Sequence, residues 1–183
     1  MLYRTHLAAG LCTGFLVAAK TGGNIGTVVL ASAVGALLPD IDQPRSYMGR
    51  KVPVSYGAYL VAGHRGIFHS LIGAVGAALL ALAALHKWAP VYSSLWLPLA
   101  AGYLSHLVLD SLNPSGVPWL WPLEIRVSIP LVRTGSMWEK LFVELPLYVV
   151  IALMIIPHLT GRLLDFDLVQ AGRNFAKVLR LGL

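Results

Sequence analysis

The sequence predicts an all-α fold, a polytopic membrane helical bundle with about five membrane-embedded helices and an amphipathic C-terminal helix. The chain has 183 residues, of which 57% are hydrophobic and only 12% are charged. Its mean hydropathy is +0.72, and apolar runs of helical length alternate with short polar segments. A chain of this composition would expose too much apolar surface in water, so a lipid bilayer is its expected solvent.

Charge and cysteine content exclude several classes of protein. The formal net charge is +6, which in a membrane protein indicates basic loops beside anionic headgroups. Lys and Arg do not cluster with interleaved aromatic residues, so we expect membrane lipids and no nucleic acid as partners. The single cysteine, Cys12, excludes an intrachain disulfide framework and is expected to pack as a small apolar side chain.

Five apolar segments account for the predicted helices. The first two flank Gly22-Gly23-Asn24, a turn signal, so we interpret them as a helical hairpin and not as one long helix. Each arm of that hairpin is short for a full span, which needs about 20 residues. The predicted segments are residues 7–19, 25–38, 67–85, 95–112 and 141–159.

The chain ends in a different pattern. From Arg162 onward, apolar residues such as Leu164 and Leu168 alternate with cations such as Arg173 and Lys177. This pattern is typical of a helix that lies on a membrane surface. We therefore divide the chain into a membrane-embedded helical domain, residues 1–160, which carries the metal site, and an amphipathic surface tail, residues 161–183.

The segment that ends the fourth helix carries the clearest chemical signal. His106 and Asp110 are four residues apart, so on a helix they lie one turn apart on the same face. An imidazole nitrogen and a carboxylate oxygen in that arrangement can bind a divalent metal together. The alternative is a buried hydrogen-bonded pair that holds two helices together.

Alternating membrane crossings sort the polar residues by side. If the first two segments form a hairpin, most of the histidines and several carboxylates share one membrane level, whereas His86 and His158 lie at the other. Ionisable groups are costly there unless they are paired or bind metal, so the set predicts a metal site with nitrogen and oxygen ligands. The residues at the shared level are His6, Asp40, Asp42, His64, His69, His106, Asp110 and Glu139.

We assign provisional roles within this set. Asp42 or Glu139 is the expected general base, and Arg65 is expected to bind an anionic substrate group such as phosphate. The alternatives are that the aspartates terminate a helix, that Glu139 favours a helix N-terminus, and that Arg65 is an ordinary positively charged loop residue. Zinc is the expected metal, with manganese and iron as alternatives. The predicted metal ligands are His6, Asp40, His64, His69, His106 and Asp110.

Four motifs, in their order along the chain, resemble those of the YdjM-type family of inner-membrane metal-dependent hydrolases. The similarity extends from His6 to about Leu159. The resemblance implies an integral protein of a prokaryotic inner membrane with hydrolase activity. A weaker likeness, in ligand pattern alone, is to zinc-dependent phospholipase C enzymes. The motifs are Leu38-Pro39-Asp40-Ile41-Asp42, the stretch from Gly63 to Ser70, the stretch from His106 to Ser111, and Arg133-Thr134-Gly135-Ser136 followed by Glu139.

These observations favour a membrane-bound hydrolase that acts on a lipid or lipid-linked phosphoester through a metal-activated water. The choice of a lipid substrate follows from a site at headgroup level. One alternative is a divalent-metal transporter, but that function needs polar residues through the membrane midplane, where these helices are apolar. The other alternative is a non-catalytic membrane protein whose His/Asp cluster is structural.

Overall fold

The computed structural model describes residues 1–42, 66–123 and 125–156, and Asp42 is described in its backbone only. Within these ranges the secondary structure is helical, apart from an isolated antiparallel bridge between Val117 and Val127. The described part of the chain contains no β-strand, so the predicted all-α class is confirmed there.

Five helices and three short 3-10 turns make up the described structure. The fifth helix, α5, covers residues 137–156 and consists of Met137–Glu139, a π turn at Lys140–Glu144 and α-helical residues 145–156. The other helices are α1 (Tyr3–Thr21), α2 (Ile25–Gly35), α3 (Leu71–Trp88) and α4 (Trp96–Ser111), and the 3-10 turns are Pro39–Asp42, Ile67–His69 and Pro90–Leu95.

The first two helices form the predicted hairpin. α1 ends at Gly22, whose φ of 66° is left-handed and ends a helix without the strain that a side chain would add. The Asn24 side chain then caps α2 by accepting a hydrogen bond of 3.1 Å from the Thr27 backbone N–H. α2 ends at Gly35, three residues before the predicted end at Leu38, because Leu38 precedes a proline and is disfavoured in helix.

Helices α1, α2 and α4 pack closely through small residues. A Cβ atom on Gly14 of α1 would lie 2.6 Å from the Val29 Cα of α2. A Cβ on Gly102 of α4 would overlap the Ser32 carbonyl oxygen of α2, and one on Gly35 would overlap the Leu99 carbonyl oxygen. These contacts leave no room for a side chain, so α2 lies directly against both neighbours.

Membrane-spanning character is clear for one helix. Among the described residues, α3 is the helix that is long and apolar enough to cross a membrane, by length and composition. α2, with 11 residues, is a shorter apolar helix. The prediction of about five membrane-embedded helices is therefore confirmed only as an all-helical chain with one clear spanning helix.

The chain forms two compact units, Met1–Tyr148 and Val149–Leu183. The first unit contains all the site residues described below. In the second, residues 149–156 are helical, and residues 157–183 lie outside the described residues. The predicted surface tail and the predicted boundary at residue 160 stay predictions, and His158 lies outside the described residues.

The segment after α4 folds back on the end of that helix. The Ile129 N–H donates to the Ser111 carbonyl oxygen at 2.7 Å, and the Trp119 indole N–H donates to the Ser111 hydroxyl at 2.8 Å. This segment therefore packs over the last turn of α4, next to Asp110.

Candidate metal centre

Five predicted site residues converge at one end of the bundle. They form two overlapping sets of metal-binding side chains that share His106, and the ligand atoms of each set lie within 4.8 Å of one another. These side chains come from helix ends and neighbouring turns, except for His106, which lies within the second half of α4. The two sets are His6, Asp40 and His106, and His69, His106 and Asp110.

The topology explains this convergence. His6 lies near the start of α1, and Asp40 lies in the turn that follows α2. His69 directly precedes the Ser70 cap of α3, and His106 lies on the second half of α4. Because α1 and α2 form a hairpin, the start of the first helix meets the end of the second, as the sequence predicts.

Two carboxylate oxygens lie at similar distances from a pair of imidazole nitrogens. The Nε2 atoms of His69 and His106 are 3.3 Å apart. Asp110 Oδ2 lies 3.9 Å from His69 Nε2 and 3.8 Å from His106 Nε2, and Asp40 Oδ1 lies 4.0 and 3.9 Å from the same two atoms. Tetrahedral ligands at about 2.0–2.2 Å from zinc lie about 3.3–3.6 Å apart. The two nitrogens match this spacing, and each carboxylate oxygen lies slightly beyond it, so His69 and His106 can share an ion with a neighbouring carboxylate.

The His106 ring has a defined tautomer. Its Nδ1 lies 2.8 Å from the carbonyl oxygen of Ala36. A carbonyl oxygen can only accept, so Nδ1 carries the proton and Nε2 presents its lone pair to the other donors. Metal-binding histidines are commonly oriented by a second hydrogen bond of this kind.

His6 extends the donor set on one side. Its ring stacks on that of His106, with centroids 3.6 Å apart and planes inclined by 12°, and its Nε2 lies 3.3 Å from Asp110 Oδ1. Within the described residues, Nδ1 of His6 has no hydrogen-bond partner although the side chain is fully buried. A buried polar atom without a partner is costly, which favours a further ligand at this ring.

Burial differs sharply across the site. The side chains of His6, His69, His106 and Asp110 are at most 2% exposed, whereas Asp40 is 19% exposed. The Met1 amino group also pairs with Asp110, which places a positive charge beside this buried carboxylate. The described structure is therefore most open beside Asp40.

Glu139 lies in neither set of metal-binding side chains. Its Oε1 accepts hydrogen bonds from the Leu2 N–H and the Thr5 hydroxyl, both at 2.8 Å, and its Oε2 accepts from the Gly135 N–H at 2.5 Å. These three donors fix the buried carboxylate between the start of α1 and the start of α5. The contacts position the helix that carries His6.

Three other predicted site residues are not placed. His64 and Arg65 lie outside the described residues, as does the side chain of Asp42. Their predicted roles as ligand, phosphate-binding residue and base stay predictions.

Two supporting residues were missed in the sequence. Ser70 caps α3 by accepting a hydrogen bond of 3.1 Å from the Gly73 N–H, and the Tyr103 hydroxyl donates to the Phe68 carbonyl oxygen. Serine directly before an apolar run is an N-cap signal that was available in the sequence. No local pattern indicates the contact of Tyr103.

Comparison with known proteins places the chain in a family. The family described as "YdjM inner membrane protein" matches residues 1–168, nine residues beyond the similarity predicted from the motifs. Inner membrane protein YdjM of Escherichia coli is 35% identical over 67% of this chain and 63% of its own length. Inner membrane protein YbcI of the same species is 36% identical over 64% of this chain and 65% of its own length.

A third relative comes from another bacterium. Uncharacterized protein YvsG of Bacillus subtilis is 34% identical over 77% of this chain and 86% of its own length. The chain thus spans about 63% of the length of YdjM and a larger share of YvsG. No solved structure matches the chain. The match over residues 1–168 shows that the chain belongs to the YdjM inner membrane protein family and is a protein of the prokaryotic inner membrane.

Proposed function

We propose that this protein is a membrane-bound, metal-dependent hydrolase that acts on a lipid or lipid-linked phosphoester. The observation that carries the proposal is the pair of His69 and His106 Nε2 atoms, 3.3 Å apart, with one carboxylate oxygen of Asp40 and one of Asp110 each 3.8–4.0 Å from both. The hydrogen bond from His106 to Ala36 supports it, because it orients one of the donors before any ion binds.

Two imidazoles and two carboxylates suit zinc, and manganese and iron also bind such mixed sets. A bound divalent ion would supply a water of lowered pKa and polarise the scissile group. His69 and His106 hold the nitrogen side of the set, while Asp40 and Asp110 provide its negative charge. The 19% exposure of Asp40 provides an entry for substrate.

Three further residues receive roles, one from its contacts and two from the sequence pattern. Because both oxygens of Glu139 accept hydrogen bonds from the chain, we assign it to positioning the start of α1. Asp42 is then the proposed general base, and Arg65 is the proposed partner of the substrate phosphate. Both assignments rest on the sequence pattern.

We further propose that all five helices are embedded in the membrane. Each of them exposes large apolar side chains, as a lipid-facing helix does. The site then lies near one membrane surface, because its residues come from the ends of the helices. This location favours a substrate whose reactive group is at headgroup level. Examples of the exposed side chains are Leu16, Leu30, Leu80, Val108 and Phe142.

Metal analysis of the untagged protein, purified in detergent, tests the site. We expect stoichiometric zinc, manganese or iron by mass spectrometry, and its loss in His106→Ala and Asp110→Ala. His86→Ala is the matched control, because His86 is exposed at the far end of α3. A folded parent that stays empty after metal supplementation overturns the metal site.

Turnover is tested next on phospholipids and isoprenoid phosphates. We expect phosphate or phosphoester release that requires the metal and is absent in Asp110→Ala. Bound metal without turnover on either class would overturn the hydrolase and support a structural His/Asp cluster. Metal uptake into proteoliposomes would instead support a transporter.

A further inference from the structure

An apolar groove lies along α3. It has a volume of about 360 Å³, within the range of small-molecule sites. Its lining is apolar, and the Tyr103 hydroxyl at its border donates to the Phe68 carbonyl oxygen. The side chains that shape it include Leu38, Ile41, Phe68, Ile72, Leu80 and Tyr103.

The groove and the metal centre share the same backbone segments. Leu38 and Ile41 line the groove and lie on either side of Asp40 in the chain. Phe68 lines it and directly precedes His69, which is a donor. The groove therefore begins beside Asp40, the most exposed of the donors.

We propose that this groove binds the hydrocarbon chain of a single membrane lipid whose phosphate group lies at the Asp40 end. The orientation of the lipid rests on the proposed function. A long apolar groove with ionisable donors at one end matches an amphiphile, whereas a small polar phosphoester would leave the groove without a partner.

The α3 side of the groove has room for a chain. A Cβ on Gly76 would meet no atom within 4 Å, although Gly76 lines the groove. Gly73, one turn earlier, packs directly against the Ile67 carbonyl oxygen. From Ile72 to Leu80 the helix rises about 12 Å, and Leu80 is 74% exposed. The groove is thus elongated and opens at its far end to the lipid around α3.

Gly76 provides a direct test, because it lines the groove and a side chain added there meets no atom at its Cβ. The matched control is Ala83→Leu, which adds the same side chain at an exposed position of α3 outside the groove. The thermal midpoints of both variants are measured first. A groove that is merely filled leaves the fold intact, since no atom is displaced at Gly76.

The probe is hexadecyl phosphonate with a photoreactive diazirine at the end of its chain, added to the full chain in nanodiscs. We expect labelling of the α3 peptide that contains Leu80, competed by unlabelled hexadecyl phosphonate and not by hexadecanol. In Gly76→Leu we expect competition to need at least about fivefold more unlabelled hexadecyl phosphonate than in the parent. The leucine occupies the groove, and forcing the hydrocarbon chain into occupied space costs about 1 kcal/mol or more. Ala83→Leu leaves it unchanged, and both variants bind ethyl phosphonate like the parent.

Each outcome separates the groove from the hydrolase. Equal labelling of every exposed helix, or equal competition in Gly76→Leu and the parent, overturns the lipid groove. Metal-dependent turnover that persists in that case leaves the hydrolase intact. Specific labelling at Leu80 without turnover supports the groove and overturns the hydrolase. If hexadecanol competes as well as hexadecyl phosphonate, the proposed position of the phosphate group at the Asp40 end is overturned.

Discussion

His106 Nδ1 lies 2.8 Å from the carbonyl oxygen of Ala36, the residue that caps the end of α2. The last carbonyl groups of a helix have no partner within it. The early end of α2 at Gly35 therefore leaves an acceptor that orients His106, a residue of the candidate metal centre, on α4. The close packing of α2 and α4 is part of the site for this reason.

Enlarging Gly102 should disturb the centre from a distance. Gly102→Ala places a Cβ against the Ser32 carbonyl oxygen, so α2 and α4 must separate, at a cost of about 1–3 kcal/mol. We expect a lower thermal midpoint and weaker zinc binding, because the Ala36 acceptor moves away from His106. Gly76→Ala, which meets no atom, is the control and should gain about 0.5–1 kcal/mol from helix propensity. Equal behaviour of the two variants would contradict the role of this contact.

Metal should stabilise the parent protein increasingly as the metal concentration rises. A ligand that binds only the folded state adds about 2.7 kcal/mol at one hundred times its dissociation constant. We expect the thermal midpoint of the chelated protein to rise on titration with zinc, and not to rise in His106→Ala. His86→Ala should respond like the parent. A response that is the same in all three proteins would place the zinc elsewhere.

Glu139→Gln should separate positioning from catalysis. The glutamine amide keeps one oxygen that accepts from the Leu2 N–H and the Thr5 hydroxyl. Its NH2 group then replaces the oxygen that accepts from the Gly135 N–H, so two donors face each other. We expect a loss of stability of about 1–3 kcal/mol and near-normal turnover once the protein is saturated with metal. Asp42→Asn should instead lose about 10²–10⁴-fold in turnover, as removal of a general base does. A comparable loss in folded, metal-loaded Glu139→Gln would make Glu139 the base.

The cap of α3 should matter for His69. Ser70→Ala removes the acceptor of the Gly73 N–H and should cost about 1 kcal/mol, whereas Ser70→Gly should cost only a few tenths. Thermal unfolding in the same detergent measures both variants. Because Ser70 follows His69 directly, we expect weaker zinc binding in Ser70→Ala than in the parent. A cost for glycine as large as for alanine would show that the hydroxyl does not act as a cap.

Local patterns predicted much of this arrangement. The pairing of His106 with Asp110 follows from helical periodicity, and the hairpin follows from Gly22-Gly23-Asn24. The hairpin accounts for the meeting of His6 and Asp40 at one end of the bundle. These features depend on residues close in sequence or on the alternation of helix directions, which a sequence displays.

Contacts between distant residues were not predictable. Leu2 and Glu139 are 137 positions apart, and no local pattern tells a carboxylate that binds metal from one that accepts backbone N–H groups. The contact of Tyr103 with Phe68 depends on how closely the helices approach. The hydrogen bond between His106 and Ala36 likewise joins residues 70 positions apart, and no local pattern indicates it.

The sequence separation of the donors has a consequence for biosynthesis. His6 belongs to α1, whereas Asp110 lies at the end of α4. During synthesis the α1–α2 hairpin therefore forms before His69, His106 and Asp110 are present. The candidate donor set is complete only after α4 has been translated and packed, so we expect any metal to be loaded late in assembly.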